Sequence, residues 1–142
     1  MKARTLFAAL LLIASAAPAF AIVTIQDDSG GRIGTYLEKF QALRLSGERV
    51  MIDGTCASAC TMLLGAIPRD RICVTPRAVL EFHAAWNYGP SGEQQTSNDG
   101  SRILWANYPG NIRRWIGHHG GLRREIITLS GPELAAMFPA CH

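Results

Sequence analysis

The stretch GTCASACTMLLG, residues 54–65, places one serine between two cysteines, where a strand is predicted to pass into an apolar helix. A serine hydroxyl becomes an effective nucleophile only when a nearby base takes its proton. This chemistry therefore needs Ser58 at a sharp, accessible turn, with an imidazole within hydrogen-bond reach. His83 ends the β-prone segment AVLEFH, 25 residues after Ser58. We predict that these two residues form a nucleophile and its general base.

Backbone N–H groups near Ser58 could hold the oxyanion that such a reaction creates. Ala59 lies in the first turn of the apolar helix, where N–H groups and the positive end of the helix dipole point outward. The pair Gly30 and Gly31 follows the first predicted strand and offers a second donor without side chains. Loops at the carboxyl ends of strands gather in one crevice of an open α/β sheet. We therefore expect the glycine pair, Ser58 and His83 to meet.

Other roles for these residues stay open on the sequence alone. A serine that opens a helix is often an N-cap, with its hydroxyl bonded to a backbone N–H. A histidine at the end of a buried strand, such as His83, can be part of the core. Three functions follow: a serine hydrolase without a cofactor, a catalytically silent periplasmic binding or interaction domain, and a structural subunit that completes its sheet edge with another chain.

The N-terminus has the pattern of a signal peptide. Lys2 and Arg4 precede the apolar run LFAALLLIASAA, and the small residues Ala19 and Ala21 flank Phe20. Cleavage near Ala21 would leave residues 22–142 as a single exported domain, periplasmic or secreted. These residues contain no further apolar run long enough to span a bilayer, so no membrane segment is expected in the mature form.

The charge balance argues against nucleic acid as a partner. The chain has 14 basic and 11 acidic residues, a formal net charge of +3. Lys2 and Arg4 fall in the predicted signal peptide, so 12 basic residues remain against 11 acidic ones, a net charge of +1. The doublets at residues 113–114 and 123–124 are typical of a solvated face.

Four cysteines, an even number in an oxidising compartment, predict two disulfides. They are Cys56, Cys60, Cys73 and Cys141, and three pairings are possible. A zinc site is disfavoured, because the cysteine spacings match no zinc ribbon or finger. Adjacent histidines point in different directions on a helix, so His118 and His119 indicate a cation at a helix C-terminus rather than a metal site.

The predicted elements alternate in β-α-β-α order, which is typical of a mostly parallel sheet covered by helices. We expect strands over 22–25, 49–53, 71–75, 78–83 and 125–129, helices over 32–47, 58–67, 101–108 and 111–119, and an exposed loop over 84–100. A closing helix at 130–138 should start with a capping box of Ser130 and Glu133, with Pro132 in its first turn.

The five tryptophan and tyrosine residues in the second half of the chain have two possible roles. They are Trp86, Tyr88, Trp105, Tyr108 and Trp115. They could line a peptide groove near Ser58, but such residues are more often part of the core. We prefer the packing role for Trp105 and Trp115.

Three segments together resemble a known family. DDSGG, GTCASACTMLLG and RDRICVTPRAVLEFH resemble the glycine-pair loop, the nucleophile turn and the histidine strand of the Clp protease proteolytic subunit, in the ClpP/crotonase superfamily. The similarity is greatest to exported, cysteine-bearing members. The segment IITLSGPELAAMF resembles the strand, turn and helix that close that fold, and coverage runs from about residue 22 to 138.

The resemblance implies a ClpP/crotonase-like α/β fold, shortened at its first βα unit, and a peptidase or esterase acting on a peptide or small ester. It assigns the nucleophile to Ser58, the base to His83 and the oxyanion hole to the N–H groups of Gly31 and Ala59. The shortening removes the segment that docks an ATP-driven unfoldase and leaves a sheet edge through which the chain could form a homo-oligomer.

The third member of the family's triad has no clear counterpart. Its acid falls at Ile126; Glu125 is adjacent, but in a strand it points to the opposite face. A backbone carbonyl or another carboxylate could orient His83 instead. A serine-lysine mechanism is set aside, because Lys39 has the spacing of a solvent-facing helix residue.

Overall fold

The computed structural model describes residues 21–142, so the predicted signal peptide lies almost wholly outside the described residues. The strands are β1 (Ile22–Asp28), β2 (Arg49–Ala57), β3 (Ile72–Val74), β4 (Val79–Phe82), β5 (Trp86–Tyr88), β6 (Gln94–Thr96) and β7 (Ile127–Ser130). The helices are α1 (Ile33–Ser46), α2 (Leu63–Ala66), α3 (Asn98–Asn107), α4 (Gly110–His118) and α5 (Gly131–Met137), and two 3-10 turns cover Ser58–Met62 and Arg69–Arg71. None of the helices in this range is long and apolar enough to cross a bilayer.

The main sheet is built around β2, which has parallel neighbours on both sides. β1 pairs along one side, and on the other side β3 pairs with the first half of β2 and β4 with the second half. β7 runs antiparallel to β4. The predicted α/β class, with a mostly parallel sheet, is confirmed.

An irregularity in the pairing of β1 with β2 depends on one glycine. The register shifts between Ile25 and Asp27, opposite Gly54. A Cβ at Gly54 would lie 1.5 Å from the carbonyl oxygen of Gln26, so no larger residue fits while the strands stay this close. The shift keeps both strands paired up to the point where the site begins.

The core forms where alternate residues of the strands meet the helices. Val50 and Ile52 of β2 are fully buried, whereas Met51 and Asp53 between them are half-buried, as expected of a strand with one covered face. Further buried residues of the core come from β4, α1 and α4 and include Leu80, Phe82, Phe40, Leu43, Ile112 and Ile116.

The four cysteines form two disulfides, as predicted, and the structure selects one of the three pairings. Cys56 is bonded to Cys60 and Cys73 to Cys141, with Cα atoms 5.4 and 4.9 Å apart. Main-chain hydrogen bonds fix the same end of the chain, since Val74 N–H donates to the Pro139 carbonyl and Cys141 N–H to the Val74 carbonyl. The C-terminus is therefore held against β3.

Strand β2 is longer than predicted. We expected it to end at Asp53, with a turn over residues 54–56, but it continues to Ala57. Cys56 is paired on one side with Asp28 and on the other with Leu80, so neighbours on both sides keep this segment extended despite its glycine. The expected helix over 58–67 is a 3-10 turn followed by the single turn of α2.

The predicted loop over 84–100 was wrong in two places. Strands β5 and β6 form a hairpin within it, and α3 begins at Asn98 rather than at residue 101. Ser97 caps α3, because its side chain accepts a hydrogen bond from the Gly100 N–H at 3.1 Å. Both hairpin strands are exposed and only three residues long, so they are too short to show the apolar alternation by which strands are recognised.

The predicted capping box at α5 was also wrong. The Ser130 side chain makes no capping hydrogen bond, and Glu133 instead accepts one from the indole of Trp115 at 3.3 Å. Pro132 lies in the first turn, as predicted. The Glu133 carboxylate therefore binds the indole of Trp115 in α4 rather than a backbone N–H at the start of its own helix.

Two of the aromatic assignments can be compared directly with the structure. Trp115 is buried, as predicted, but Trp105 is 39 % exposed, and the packing role predicted for it was wrong. The buried face of this region passes through Leu104 and Tyr108, four residues apart, which turns Trp105 away from it.

The two disulfides should differ in their contribution to stability because the loops they close differ in length. The chain-entropy model gives about 4 kcal/mol for the pair 68 residues apart and about 2 kcal/mol for the pair four apart. The double variant C56A/C60A keeps only the Cys73–Cys141 disulfide. Its free energy of unfolding in urea should therefore differ more between the oxidised and reduced forms. The same measurement on C73A/C141A should show the smaller difference, and equal differences would contradict the loop-length argument.

Candidate active site

Ser58 occupies a strained turn at the end of β2. Its φ of 55° makes it the one non-glycine residue in the left-handed region among residues 21–142. This conformation costs a residue with a Cβ about 1–2 kcal/mol, and such strain is concentrated at functional sites. The N-cap of the 3-10 turn is Ala57, so the alternative assignment of Ser58 as the cap was wrong. No hydrogen bond of the Ser58 hydroxyl is found within the described chain, which leaves it available for chemistry.

Two buried hydroxyls hold this turn from below. Thr61 Oγ1 donates to the Ser58 carbonyl at 2.6 Å, and Tyr108 OH lies 2.7 Å from the same Oγ1. Since Thr61 uses its proton on the carbonyl, Tyr108 donates to Thr61. Burial raises the pKa of Tyr108 to about 12, which keeps that proton in place. The signal for Thr61 was its position as a polar residue in an apolar run, but its partner lies 47 residues away and could not be read from the sequence.

The backbone of Gly30 is packed directly against the Ser58 turn. Its φ is +81°, and a Cβ there would lie 2.6 Å from the Ala57 carbonyl oxygen, 2.8 Å from Ser58 Cβ and 2.9 Å from Ala59 N. Gly31 follows and lines the same cleft as Ser58. Its N–H has no hydrogen-bond acceptor among residues 21–142, and the N–H of Ala59 lies in the first turn of the 3-10 segment.

Asp28 fixes the glycine loop at the end of β1. Its Oδ1 accepts hydrogen bonds from the Gly30 N–H at 2.9 Å and from Tyr36 OH, and Lys39 Nζ lies 3.4 Å from Oδ2. Partial burial alone would raise the pKa of Asp28, but the hydrogen bonds and the charge of Lys39 outweigh it and lower the pKa. Burial and the bond to Asp28 raise the pKa of Tyr36 to about 12.

His83 lines the same cleft, with its ring oriented by a backbone carbonyl. Its Nδ1 lies 2.7 Å from the Ala84 oxygen, an acceptor, so Nδ1 carries the proton and Nε2 is left unprotonated in the neutral ring. Within residues 21–142, no hydrogen bond joins His83 to Ser58. Catalytic hydrogen bonds are often long in enzymes without substrate and tighten when the substrate binds. The cleft has a volume of about 620 Å³, and Ile33, Trp86 and Tyr88 form part of its wall.

No carboxylate reaches His83 within residues 21–142. Glu125, the candidate orienting acid, is exposed, and its side chain lies 3.7 Å from Arg123. Ile126 borders a second, smaller cavity on which His83 also opens. The Ala84 carbonyl is therefore the group that orients the imidazole.

The remaining candidates lie outside this cleft. Lys39 pairs with Asp28. His119 Nδ1 lies 2.8 Å from the Trp115 carbonyl and its ring stacks on the indole at 4.0 Å, consistent with a group at the C-terminus of α4. Within the described residues no three His, Cys, Asp or Glu side chains are placed to hold a metal ion.

Replacing Gly30 should damage the site more than replacing a glycine with the same backbone conformation and free space. Gly92 has φ +80° and no atom within 4 Å of the position that a Cβ would take, so Gly92→Ala should cost about 1–2 kcal/mol from its backbone alone. Gly30→Ala carries that cost and also the clash with Ala57, so its free energy of unfolding should fall further. Urea unfolding of both variants tests this prediction. Equal losses in the free energy of unfolding would show that the Ser58 turn moves to make space for the added Cβ.

The Asp28 carboxylate should stabilise the chain only where it is ionised. Its pKa in the folded chain is below the ordinary value of 3.8, so this stability is present above that pH and is lost as pH falls through the folded pKa. Asp28→Asn should lower stability at neutral pH and flatten the fall in stability as the pH drops below about 4, where carboxyl groups take up protons. Asp70→Asn, at an exposed position, is the control. If stability falls with decreasing pH in Asp28→Asn as steeply as in the wild type, the Asp28 carboxylate does not stabilise the chain.

Comparison with known proteins finds similarity among solved structures but not among family models or curated sequences. No protein-family model matches the chain, and no curated protein is significantly similar to it in sequence. Among solved structures, it is similar to a ClpP1 mutant from Listeria monocytogenes, with a TM-score of 0.48 and 15 % sequence identity. The similarity covers 84 % of this chain and 71 % of that one.

Proposed function

We propose that the chain is an exported serine hydrolase of the ClpP-like type that acts on carbonyl groups of peptides or small esters. The observation that carries the proposal is Ser58: a strained residue whose hydroxyl is unbonded in the described chain, in a cleft shared with His83 and Gly31. A serine that served only to cap a helix would have no need of this conformation. The segments that resemble the Clp protease family support the same assignment.

The proposed reaction follows an acyl-enzyme route. Ser58 Oγ attacks the carbonyl carbon while His83 Nε2 takes the hydroxyl proton, and the Ala84 carbonyl holds the other ring nitrogen. The oxyanion formed is held by the N–H groups of Gly31 and Ala59. His83 then gives the proton to the leaving amine or alcohol as the carbon–leaving-group bond breaks. Water, deprotonated by His83, attacks the acyl-serine, and His83 returns that proton to Ser58 Oγ as the ester bond breaks and the acid is released.

The cleft and the disulfides support the substrate class and the compartment. A volume of about 620 Å³ is typical of pockets for small ligands, which suits a short peptide segment or an ester. Exposed Trp86 and Tyr88 give the cleft aromatic walls. Two disulfides fit an oxidising compartment outside the cytoplasm, as does the predicted signal peptide. The mechanism requires no cofactor and no ATP-driven partner.

A second candidate is a silent interaction domain, favoured by the lack of a carboxylate at His83 within the described residues. Strand β1 lies at the edge of the sheet and could pair with another chain, including a second copy. In this case the strained serine would be inherited and would take part in no reaction.

A fluorophosphonate probe, which phosphonylates activated serines, tests the two candidates. The oxidised chain should be labelled, and Ser58→Ala should abolish labelling. His83→Ala should slow labelling by about 10²–10⁴-fold, the usual contribution of a general base.

Two controls make this result specific. Ser29 is exposed and lines the same cleft, so Ser29→Ala should label like the wild type. His118 is exposed at the end of α4, so His118→Ala should do the same. A folded wild-type chain that is not labelled, or that is labelled equally in Ser58→Ala, would rule out the hydrolase.

A further inference from the structure

His83 lines two cavities with different chemistry. One is the cleft that contains Ser58. The other has a volume of about 200 Å³ and is lined by His83, Arg124, Gln94 and Thr96, together with Ala84, Trp86 and Ile126. The acyl-transfer mechanism uses only the first cavity. The second has space for a group several times the volume of a water molecule.

The chain connectivity fixes Arg124 beside His83. Phe82 of β4 is paired with Ile127 of β7, and the Ala84 N–H donates to the Arg123 carbonyl at 2.6 Å. The segment before β7 therefore runs antiparallel alongside His83 and places Arg124 in the wall of the cavity. Gln94 and Thr96 reach the same cavity from β6.

The cavity has a cation with no anion to balance it. Among residues 21–142 Arg124 forms no salt bridge, and no Asp or Glu lines the cavity. The nearby carboxylates are elsewhere: Glu125 pairs with Arg123, and Glu81 of β4 does not border the cavity. A guanidinium presents its N–H groups in a planar fork that matches a carboxylate, and Gln94 and Thr96 add neutral donors.

We propose that this cavity is a carboxylate-binding subsite, in which Arg124 holds the anion next to the imidazole of His83. The proposal rests on the hydrolase function and deepens it. The anion is either a small free carboxylate or a carboxylate carried by the substrate, such as a peptide C-terminus. The two sources share one chemistry, and the test separates them.

The bound carboxylate would assist the catalytic pair through its charge. His83 becomes a cation when it takes the proton from Ser58. A carboxylate held at Arg124 stabilises this imidazolium without a hydrogen bond to the ring, because Nδ1 is already bonded to the Ala84 carbonyl and Nε2 receives the Ser58 proton. No bond to the carboxylate forms or breaks.

The first arm of the test measures the rate of fluorophosphonate labelling against acetate concentration. Chloride keeps the ionic strength constant, and the buffer contains no carboxylate. A free carboxylate as the source predicts a saturable rise of about tenfold in the wild type, of the order of one charge interaction near a protein surface. The rise should be lost in Arg124→Gln and kept in Arg123→Gln, whose side chain points to Glu125 instead.

The second arm compares two peptide substrates that differ only in a free C-terminal carboxylate or a carboxamide. A substrate carboxylate as the source predicts faster hydrolysis of the free acid by about tenfold to a hundredfold, the usual range for a hydrogen bond to a charged group. This preference too should be lost in Arg124→Gln and kept in Arg123→Gln. If labelling occurs but neither arm shows an effect that depends on Arg124, the subsite is refuted and the hydrolase stands.

A binding measurement decides the subsite even if Ser58 is not labelled at all. The Ser58→Ala chain, isotopically labelled, is titrated with acetate while the NMR signals of the His83 ring and the Arg124 guanidinium are followed. Saturable shifts of both, absent in the additional Arg124→Gln variant, support the subsite apart from catalysis. Signals that do not move with acetate, together with none moved by the free-acid peptide, overturn it.

Discussion

The register between β1 and β2 is the constraint on which the site depends. Asp28 is paired with Cys56, so the residues two positions further along each strand, Gly30 and Ser58, necessarily emerge side by side. The contact between them leaves no space for a Cβ at Gly30. A glycine loop and a strained serine are therefore one unit, and a slip of the register by one residue would separate them.

That unit is supported from two directions that do not overlap. Asp28 fixes the glycine loop through its hydrogen bond to the Gly30 N–H. Thr61 and Tyr108 hold the serine turn from the core. The Cys56–Cys60 disulfide closes around the same turn, while the Cys73–Cys141 disulfide acts elsewhere, on the C-terminus. The short-range disulfide thus constrains the site, whereas the long-range disulfide stabilises the fold away from it.

The parts of the site that could be predicted from sequence are those fixed by strand ends. Gly31, Ser58 and His83 line one cleft, as expected of residues at the carboxyl ends of neighbouring strands. What could not be predicted depends on partners distant in sequence. Glu133 is bonded to Trp115 rather than to its own helix cap, and Tyr108 supports a turn 47 residues before it. Local patterns describe what a side chain can do, whereas packing decides which partner it meets.

The strain at Ser58 bears on how the site would change over evolutionary time. Gly30 and Gly54 are demanded by space, since a Cβ at either would overlap backbone atoms, and a lineage without activity would still retain them. Position 58 has no such protection. Glycine and asparagine adopt the left-handed conformation at lower energetic cost than serine. Once selection for chemistry ended, a substitution to either residue would stabilise the chain and could become fixed. In relatives of this chain, Gly30 and Gly54 would therefore be present with or without activity, whereas a serine at position 58 would indicate that the activity is still under selection.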